Sequence, residues 1–422
     1  MGLGLLGRGI GDTAFLAECG ADLIVTDLKT EEQLKTSLAK LKKYKNITYH
    51  LGEHRLEDFK NRDMVLKAAG VPVDSIYIIE AKKNNIPVEM SASLFAKLSG
   101  LKIIGVTGTR GKSTVTYMIE HILKTAGEKT LLGGNVRGVS TLSLLKKTKN
   151  KEYAVFELDS WQLQGFTDSQ ISPHISVFTT FFDDHLNYYK NDRELYFKDK
   201  AGIFLNQKED DILVAGRQVW PEIKKYQDKI KSKIIIPPIK LPKGFELNIP
   251  GAHNGYNAML AMFACKAVGV SEEIIKKALK NFQPVEGRLQ LLRTWRGVKI
   301  YNDNNSTTPE AAMVALAALK KIKKNIILIA GGADKKLDMS ELIKEIKKTC
   351  RVVVLLPGTG SDKLNLPEAI KVKDLKEAVK KAKDLVKKED TLLFSPAFAS
   401  FGLFNNEYER NDQFVKIIKR LK

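Results

Sequence analysis

The sequence has 422 residues, of which 43% are apolar. A chain of this length usually folds around more than one hydrophobic core, so we expect two or three domains. Its three cysteines are far apart and share no metal-ligand spacing with the six histidines, which excludes a disulfide framework or a zinc site. The net charge of +20 comes mostly from lysines spread over predicted helical faces with few aromatics, which argues against a nucleic-acid partner.

The N-terminal segment MGLGLLGRGIGD is rich in glycine, and Arg8 and Asp12 interrupt it before a signal peptide or membrane span could form. We therefore expect a cytoplasmic protein. A predicted helix (12–19) and strand (22–26) follow and end at Asp27, which is half of a dinucleotide-type βαβ unit. The strand that ordinarily precedes such glycines is missing, so either the start lies upstream or this edge is built differently.

Alternation of strands and helices continues along the chain. A helix is predicted over 76–88, and a second block opens with a strand at 101–106 and a helix at 113–125. The third block contains four strands and three helices, predicted at 298–301, 309–318, 326–330, 339–348, 352–356, 375–387 and 391–394. This order predicts an α/β protein of three domains with mostly parallel sheets, over residues 1–96, 97–287 and 288–422.

The strongest motif is Thr107-Gly-Thr-Arg-Gly-Lys-Ser-Thr114, which lies between a predicted strand and a predicted helix. Such a loop presents backbone N–H groups to phosphates at a helix N-terminus. Lys112 would reach the terminal phosphates, and Ser113 would bind Mg²⁺. The general P-loop pattern requires glycine at position 106, where this chain has Val106.

The T-G-T-x-G-K-S-T variant resembles that of the Mur ligase superfamily, and the resemblance extends over nearly the whole chain. It is closest to the branch that adds D-glutamate. The resemblance implies a Rossmann-like N-terminal domain, a central ATP-binding domain and a Rossmann-like C-terminal domain. It also implies a monomeric ATP-dependent ligase that joins D-glutamate to a UDP-linked muramoyl-L-alanine precursor through an acyl phosphate.

The resemblance also assigns the catalytic and magnesium-binding residues. Glu157 in FELDSWQL and His185 in FFDDHLNYY match the family's magnesium ligands, beside Ser113. Lys200 in YFKDKAGIF takes the position of the family's carbamylated lysine. Arg288 in EGRLQ matches an arginine that could stabilise transferring phosphoryl charge.

The binding residues follow from the same resemblance. For ATP they are Gly108, Thr109, Gly111, Lys112, Ser113, Thr114, Asn254, Arg288 and Asp303. For the UDP precursor they are Gly4, Asp27, Lys29, Gly70, Asn135, Ser160 and Gln162. For the amino acid they are Thr307, Lys335, Ser400 and Phe401. The chain departs from the family pattern at Ala69, Asp159 and Asn305, which bears on the choice of substrate.

Three other functions fit part of the sequence. A folylpolyglutamate or poly-γ-glutamate ligase would share the phosphate loop, and Arg110 favours the second of these. A P-loop ATPase stimulated by nucleic acid would account for the positive charge. A nucleotide-binding homologue without ligase activity would account for Asn305, Asp159 and the missing first strand.

Overall fold

The computed structural model of the protein describes residues 1–185, 188–322 and 324–421. The chain forms two compact units, the first made of Met1–Leu241 with Asn257–Ala278 and the second of Pro242–Tyr256 with the residues from Leu279 onward. The domain boundaries near residues 96 and 287 stay predictions. No helix in the described ranges is long and apolar enough to cross a bilayer.

Ten helices and ten strands precede residue 282 in the described part of the chain. The helices are α1 (Arg8–Glu18), α2 (Glu31–Leu41), α3 (Ile76–Lys83), α4 (Ser91–Leu98), α5 (Lys112–Thr125), α6 (Ser160–Asp168), α7 (Arg193–Ala201), α8 (Trp220–Lys224), α9 (Ala252–Ala267) and α10 (Glu272–Asn281). The strands are β1 (Leu23–Asp27), β2 (Ile47–Leu51), β3 (Val65–Leu66), β4 (Val88–Glu89), β5 (Lys102–Thr107), β6 (Thr130–Gly134), β7 (Tyr153–Glu157), β8 (Ile175–Phe178), β9 (Ile212–Ala215) and β10 (Lys233–Ile235).

The main sheet of the first unit has six parallel strands in the order β10-β9-β8-β5-β7-β6. Its inner strands β7 and β8 are buried along their whole length, as expected for a parallel sheet covered on both faces. Because the strands are parallel, their carboxyl ends lie along one edge. The residues that follow β5, β6, β7 and β8 therefore meet at that edge, where α/β proteins ordinarily bind ligands.

The first 96 residues contain two smaller sheets, each a parallel pair, β1 with β2 and β3 with β4. Helix α1 begins at Arg8, earlier than predicted, because Gly7 adopts the left-handed conformation that starts it (φ 92°). The helix predicted over 76–88 was wrong in its second half. It ends at Lys83, Asn85 turns the chain with φ 56°, and β4 follows.

The second unit is built on another six-stranded sheet. Its strands are β11 (Gln290–Trp295), β12 (Val298–Asn302), β13 (Ile326–Ala330), β14 (Cys350–Leu355), β15 (Ile370–Lys371) and β16 (Thr391–Phe394). Its helices are α11 (Pro309–Leu319), α12 (Ser340–Thr349), α13 (Leu375–Leu385) and α14 (Glu407–Lys419). The order is β11-β12-β16-β13-β14-β15, parallel except for β11 with β12. The α/β class and the parallel sheets are thus confirmed.

A fully buried arginine organises the loop after β12. The Arg410 guanidinium, on α14, donates to the Asn304 side-chain oxygen at 2.8 Å, to the Asn304 backbone oxygen at 2.9 Å and to the Phe398 backbone oxygen at 3.2 Å. Burial lowers the pKa of Arg410 to about 10, so it stays charged at neutral pH. Arg410 on α14 therefore holds the loop that follows Asn302 in place through its bonds to Asn304.

We expect Arg410→Met to lower the free energy of unfolding by about 2–4 kcal/mol, because it leaves buried acceptors of Asn304 and Phe398 without a donor. Urea unfolding measures the change. Arg420→Met, at the exposed end of the same helix, is the matched control and should change little. Equal effects of the two substitutions would contradict the role given to Arg410.

Candidate active site

The phosphate loop joins β5 to α5 at the carboxyl edge of the main sheet. Gly108 and Gly111 have φ values of 139° and 88°, which a residue with a side chain adopts only under strain. Thr109 donates its backbone N–H to the Thr180 oxygen at 2.7 Å, and Arg110 donates its own to the Thr180 hydroxyl at 3.0 Å. The segment after β8 therefore holds the loop in shape before any phosphate binds.

Two lysine side chains converge on one carbonyl of this loop. Lys112 Nζ donates to the Gly108 oxygen at 3.1 Å and to the Thr109 oxygen at 3.2 Å. Lys200, on α7 and only 2% exposed, donates to the same Gly108 oxygen at 3.0 Å. Burial, with the Lys112 ammonium nearby, lowers the pKa of Lys200 to about 7. Much of Lys200 is therefore a neutral amine at physiological pH, as carbamate formation requires.

The loop also forms an ion pair with the segment that carries His185. Arg110 Nη1 donates to an Asp184 carboxylate oxygen at 2.9 Å, and the other oxygen accepts the His185 backbone N–H at 3.0 Å. His185 has a φ of 54°, and its ring lies 4.8 Å from that of Trp161. Residues 186 and 187 of this motif lie outside the described residues.

If His185 binds Mg²⁺ as the resemblance predicts, Arg110→Ala should raise the Mg²⁺ concentration needed for half-maximal activity several-fold, because the Asp184 carboxylate that accepts the His185 N–H loses its bond to Arg110. The pair is partly exposed, so thermal stability should change little. Arg193→Ala is the matched control, since Arg193 bonds the neighbouring Asp183 instead. A Mg²⁺ titration that is shifted equally in both variants would refute this role of Arg110.

Glu157 ends β7 and is 5% exposed. In the neighbouring strand β6, Gly134 pairs with Glu157. The residue after Gly134, Asn135, therefore lies next to Glu157. The Asn135 backbone N–H donates to the Glu157 backbone oxygen at 2.7 Å, and its side-chain amide donates to the Glu157 carboxylate at 3.4 Å. A predicted precursor residue and a predicted magnesium ligand are thus in contact.

Asp27, at the end of β1, organises the N-terminal glycine turn. Its two carboxylate oxygens accept the backbone N–H groups of Gly4 and Lys29, both at 2.9 Å. Gly4, Asp27 and Lys29, all predicted to bind the precursor, therefore lie together. The Asp27 carboxylate itself accepts backbone N–H groups on both of its oxygens. Gly70 lies in an exposed turn after β3.

Asp159 has a structural role that the sequence did not reveal. It caps the N-terminus of α6, accepting the Gln162 backbone N–H at 2.8 Å, while the Gln162 side chain accepts the Asp159 N–H at 3.2 Å. Aspartate is as good a helix cap as serine. Asp159, although it departs from the family pattern, therefore preserves the N-terminal cap of α6. This helix carries Ser160 and Gln162, which are both buried.

In the second unit, two predicted amino-acid ligands are in contact, since Lys335 Nζ donates to the Thr307 hydroxyl at 3.1 Å. Ala333 and Ala399 bridge their backbones, which ties the Lys335 loop to the loop of Ser400, a residue 4% exposed. Phe401 is 63% exposed and presents an aromatic face to solvent. Both loops follow central strands, β13 and β16, at the carboxyl edge of this sheet.

Asp303 lies beneath the same edge. It accepts the Ser306 and Ser395 hydroxyls at 2.5 and 2.8 Å and the Leu289 backbone N–H at 3.0 Å. Burial raises the pKa of its carboxyl to about 6. Asp303 therefore holds the loop it belongs to, next to Arg288, whose side chain is exposed.

The segment HNGYN (253–257) contains two asparagines, of which only Asn254 was predicted to bind ATP. Asn254, which was chosen, is 5% exposed and donates its side-chain amide to the Pro250 oxygen at 2.7 Å. Asn257 lies against the phosphate loop, because a Cβ built on Gly111 would be 2.6 Å from its side-chain oxygen. The second asparagine of HNGYN was the signal that could have identified it.

Two protein-family domains match parts of this chain. The Mur ligase middle domain matches residues 106–236, and the Mur ligase glutamate ligase domain matches residues 287–398. The UDP-N-acetylmuramoylalanine--D-glutamate ligase of Borreliella afzelii is 34% identical over 100% of this chain and 97% of its own length. The enzyme of the same name from Roseiflexus sp. is 33% identical over 99% of this chain and 97% of its own.

Solved structures share the fold at lower identity. The UDP-N-acetylmuramate-alanine ligase MurC of Thermotoga maritima has a TM-score of 0.63 at 20% identity, covering 100% of this chain and 98% of that one. The MurF ligase of Thermotoga maritima, in complex with ADP, has a TM-score of 0.61 at 18% identity, covering 87% of this chain and 97% of its own.

Together, the phosphate loop, the parallel sheets and these relatives define an ATP-dependent amide-bond ligase. The chain belongs to the Mur ligase family, as the resemblance of its phosphate loop predicted.

Proposed function

We propose that this enzyme joins D-glutamate to UDP-N-acetylmuramoyl-L-alanine in peptidoglycan precursor synthesis, with ATP converted to ADP and phosphate. The observation that carries the proposal is the convergence of Lys112 and the buried Lys200 on the Gly108 carbonyl, at the carboxyl edge of a parallel sheet. The similarity to D-glutamate ligases over the whole chain supports the choice of substrates.

In the first step, an oxygen of the precursor carboxylate attacks the γ-phosphorus of ATP, and the bond from that phosphorus to ADP breaks. The N–H groups at the start of α5 hold the phosphates, and Lys112 moves from two carbonyl oxygens to the transferring phosphoryl group. In the second step, the neutral amine of D-glutamate attacks the carbonyl carbon of the resulting acyl phosphate, the bond from that carbon to the phosphate oxygen breaks, and the amine proton leaves to the released phosphate or to solvent. The protein orients the reactants and neutralises charge in both steps.

The residues near the loop fit magnesium. Glu157 offers a buried carboxylate at a strand end, Ser113 a hydroxyl, and Lys200 an amine whose lowered pKa suits conversion to a carbamate. With His185, these residues would hold the ions, which supply positive charge for the phosphoryl oxygens. No group of three or more His, Cys, Asp or Glu that could hold a metal occurs in the described ranges.

The second unit supplies the amino-acid end of the proposal. The Lys335 ammonium suits a carboxylate of D-glutamate, and the Thr307 and Ser400 hydroxyls can donate further hydrogen bonds. We also propose that the enzyme works in the cytoplasm as a monomer without a nucleic-acid partner, since its positive charge is lysine spread over the surface.

The test is ADP release by the purified chain with UDP-N-acetylmuramoyl-L-alanine and a panel of amino acids. We expect release only when the precursor and D-glutamate are both present, and oxygen-18 in the precursor carboxyl should pass into inorganic phosphate. Release that requires a folate or a glutamate polymer instead would assign the chain to another branch. Release stimulated by RNA or DNA alone would point to a nucleic-acid ATPase.

A further inference from the structure

Helix α1 is fastened to the loop that follows β6, here called the 135–140 loop. A Cβ built on Gly11 would lie 2.5 Å from the Ser140 Cβ, so the helix backbone approaches the loop closely. Asp12 accepts the hydroxyls of Ser140 at 2.6 Å and Ser91 at 2.9 Å. The first turn of α1 therefore has a fixed place against the residues next to the main sheet.

Arg8 lies in that first turn and reaches across to Asn135. Its Nη1 donates to the Asn135 side-chain oxygen at 2.7 Å, and the Asn135 side-chain nitrogen donates to the Glu157 carboxylate at 3.4 Å. A guanidinium only donates hydrogen bonds and an ionised carboxylate only accepts them. The Asn135 amide can satisfy both neighbours in one orientation only, so Arg8 determines which way it points.

We propose that Arg8 is a positioning residue for the UDP-linked precursor, acting through Asn135. This inference rests on the proposed function. Arg8 follows the glycine turn of Gly4, which the resemblance assigns to the precursor, and the same resemblance assigns Asn135 to the precursor and Glu157 to the magnesium site. The hydrogen bonds from Arg8 to Asn135 and from Asn135 to Glu157 thus connect the proposed nucleotide end of the substrate site to its proposed reacting end. With the amide reversed, its oxygen would face the Glu157 carboxylate and repel it.

A purely structural role for Arg8 would be different. Arg8 is one turn before the buried Asp12, and its charge opposes the rise in the pKa of that carboxyl caused by burial. If this were its whole purpose, substitutions at Arg8 would change stability and leave the KM for the precursor unchanged. Arg8→Lys keeps the positive charge near Asp12 and therefore separates the two roles.

The experiment is a double-mutant cycle with Arg8→Leu, Asn135→Ala and the double variant, measuring KM for the precursor, KM for ATP and the thermal midpoint. We expect Arg8→Leu to raise the KM for the precursor roughly tenfold or more and to leave that for ATP within about twofold. In the Asn135→Ala background, the same substitution should change the KM for the precursor less than about twofold. Arg8→Lys should keep the wild-type midpoint and give an intermediate KM, because an ammonium can still donate one hydrogen bond.

An unchanged KM for the precursor in Arg8→Leu would overturn the proposal, as would equal effects of Arg8→Leu with and without Asn135. If Arg8→Leu does not fold, Arg8→Lys alone and combined with Asn135→Ala completes the cycle. Wild-type protein that releases no ADP with the precursor and D-glutamate would instead remove the proposed function, and the two failures are therefore distinguishable.

Discussion

Lys112→Ala is expected to lower kcat roughly a thousandfold, because in the proposed mechanism its ammonium is the charge that the phosphate loop contributes to the transferring phosphoryl group. The fold should survive, since the bonds that Lys112 makes to the Gly108 and Thr109 oxygens are not needed to hold a loop already fixed by Thr180. Steady-state ADP release measures the loss, and the thermal midpoint reports the fold.

Lys124→Ala, at the other end of the same helix, is the matched control. Lys124 is largely exposed and pairs with Glu120, so its removal should leave kcat close to that of the wild type. Near-normal turnover in Lys112→Ala would refute the phosphate role of Lys112, whatever the control does.

Lys200→Ala should lower kcat by a similar factor, and added acetate or formate should restore part of the loss. The physical reason is that the proposed carbamate on Lys200 would provide a carboxylate near the proposed metal site, which a small free carboxylate can replace. Lys198→Ala, two residues away and exposed, is the control and should retain activity without added carboxylate.

The pH dependence of the wild type provides a second measurement of Lys200. Its pKa is lowered to about 7, so below that pH the side chain is an ammonium that cannot attack CO₂, and above it a neutral amine that can. Activation by added CO₂ should therefore increase as the pH rises through about 7. If neither CO₂ nor carboxylates affect the wild type or Lys200→Ala, Lys200 is not carbamylated.

The phosphate loop could be predicted because its chemistry lies in eight consecutive residues between a strand and a helix. Lys200 could be chosen over Lys198 only through the family resemblance, and burial is what distinguishes the two, since Lys200 is 2% exposed. Exposure of this kind depends on packing against β5 and its loop, which short-range sequence patterns do not encode.

Contacts between distant segments account for most of what was missed. Arg410 bonds Asn304, 106 residues earlier in the chain, and Arg8 bonds Asn135, 127 residues later. No local motif indicates either contact. The helix predicted over 76–88 failed for a local reason instead, because Asn85 turns the chain where the apolar pattern continues to Val88.

The small size of the two N-terminal sheets has a consequence for the stability of the glycine turn. A parallel pair of short strands has too little buried surface to be stable alone, so cohesion must come from elsewhere. The bonds of Asp12 to Ser91 and Ser140 and the contact at Gly11 contribute to it, together with the hydrophobic clusters that the helices form over these strands. The position of the glycine turn therefore depends on the main sheet, and the two should unfold together.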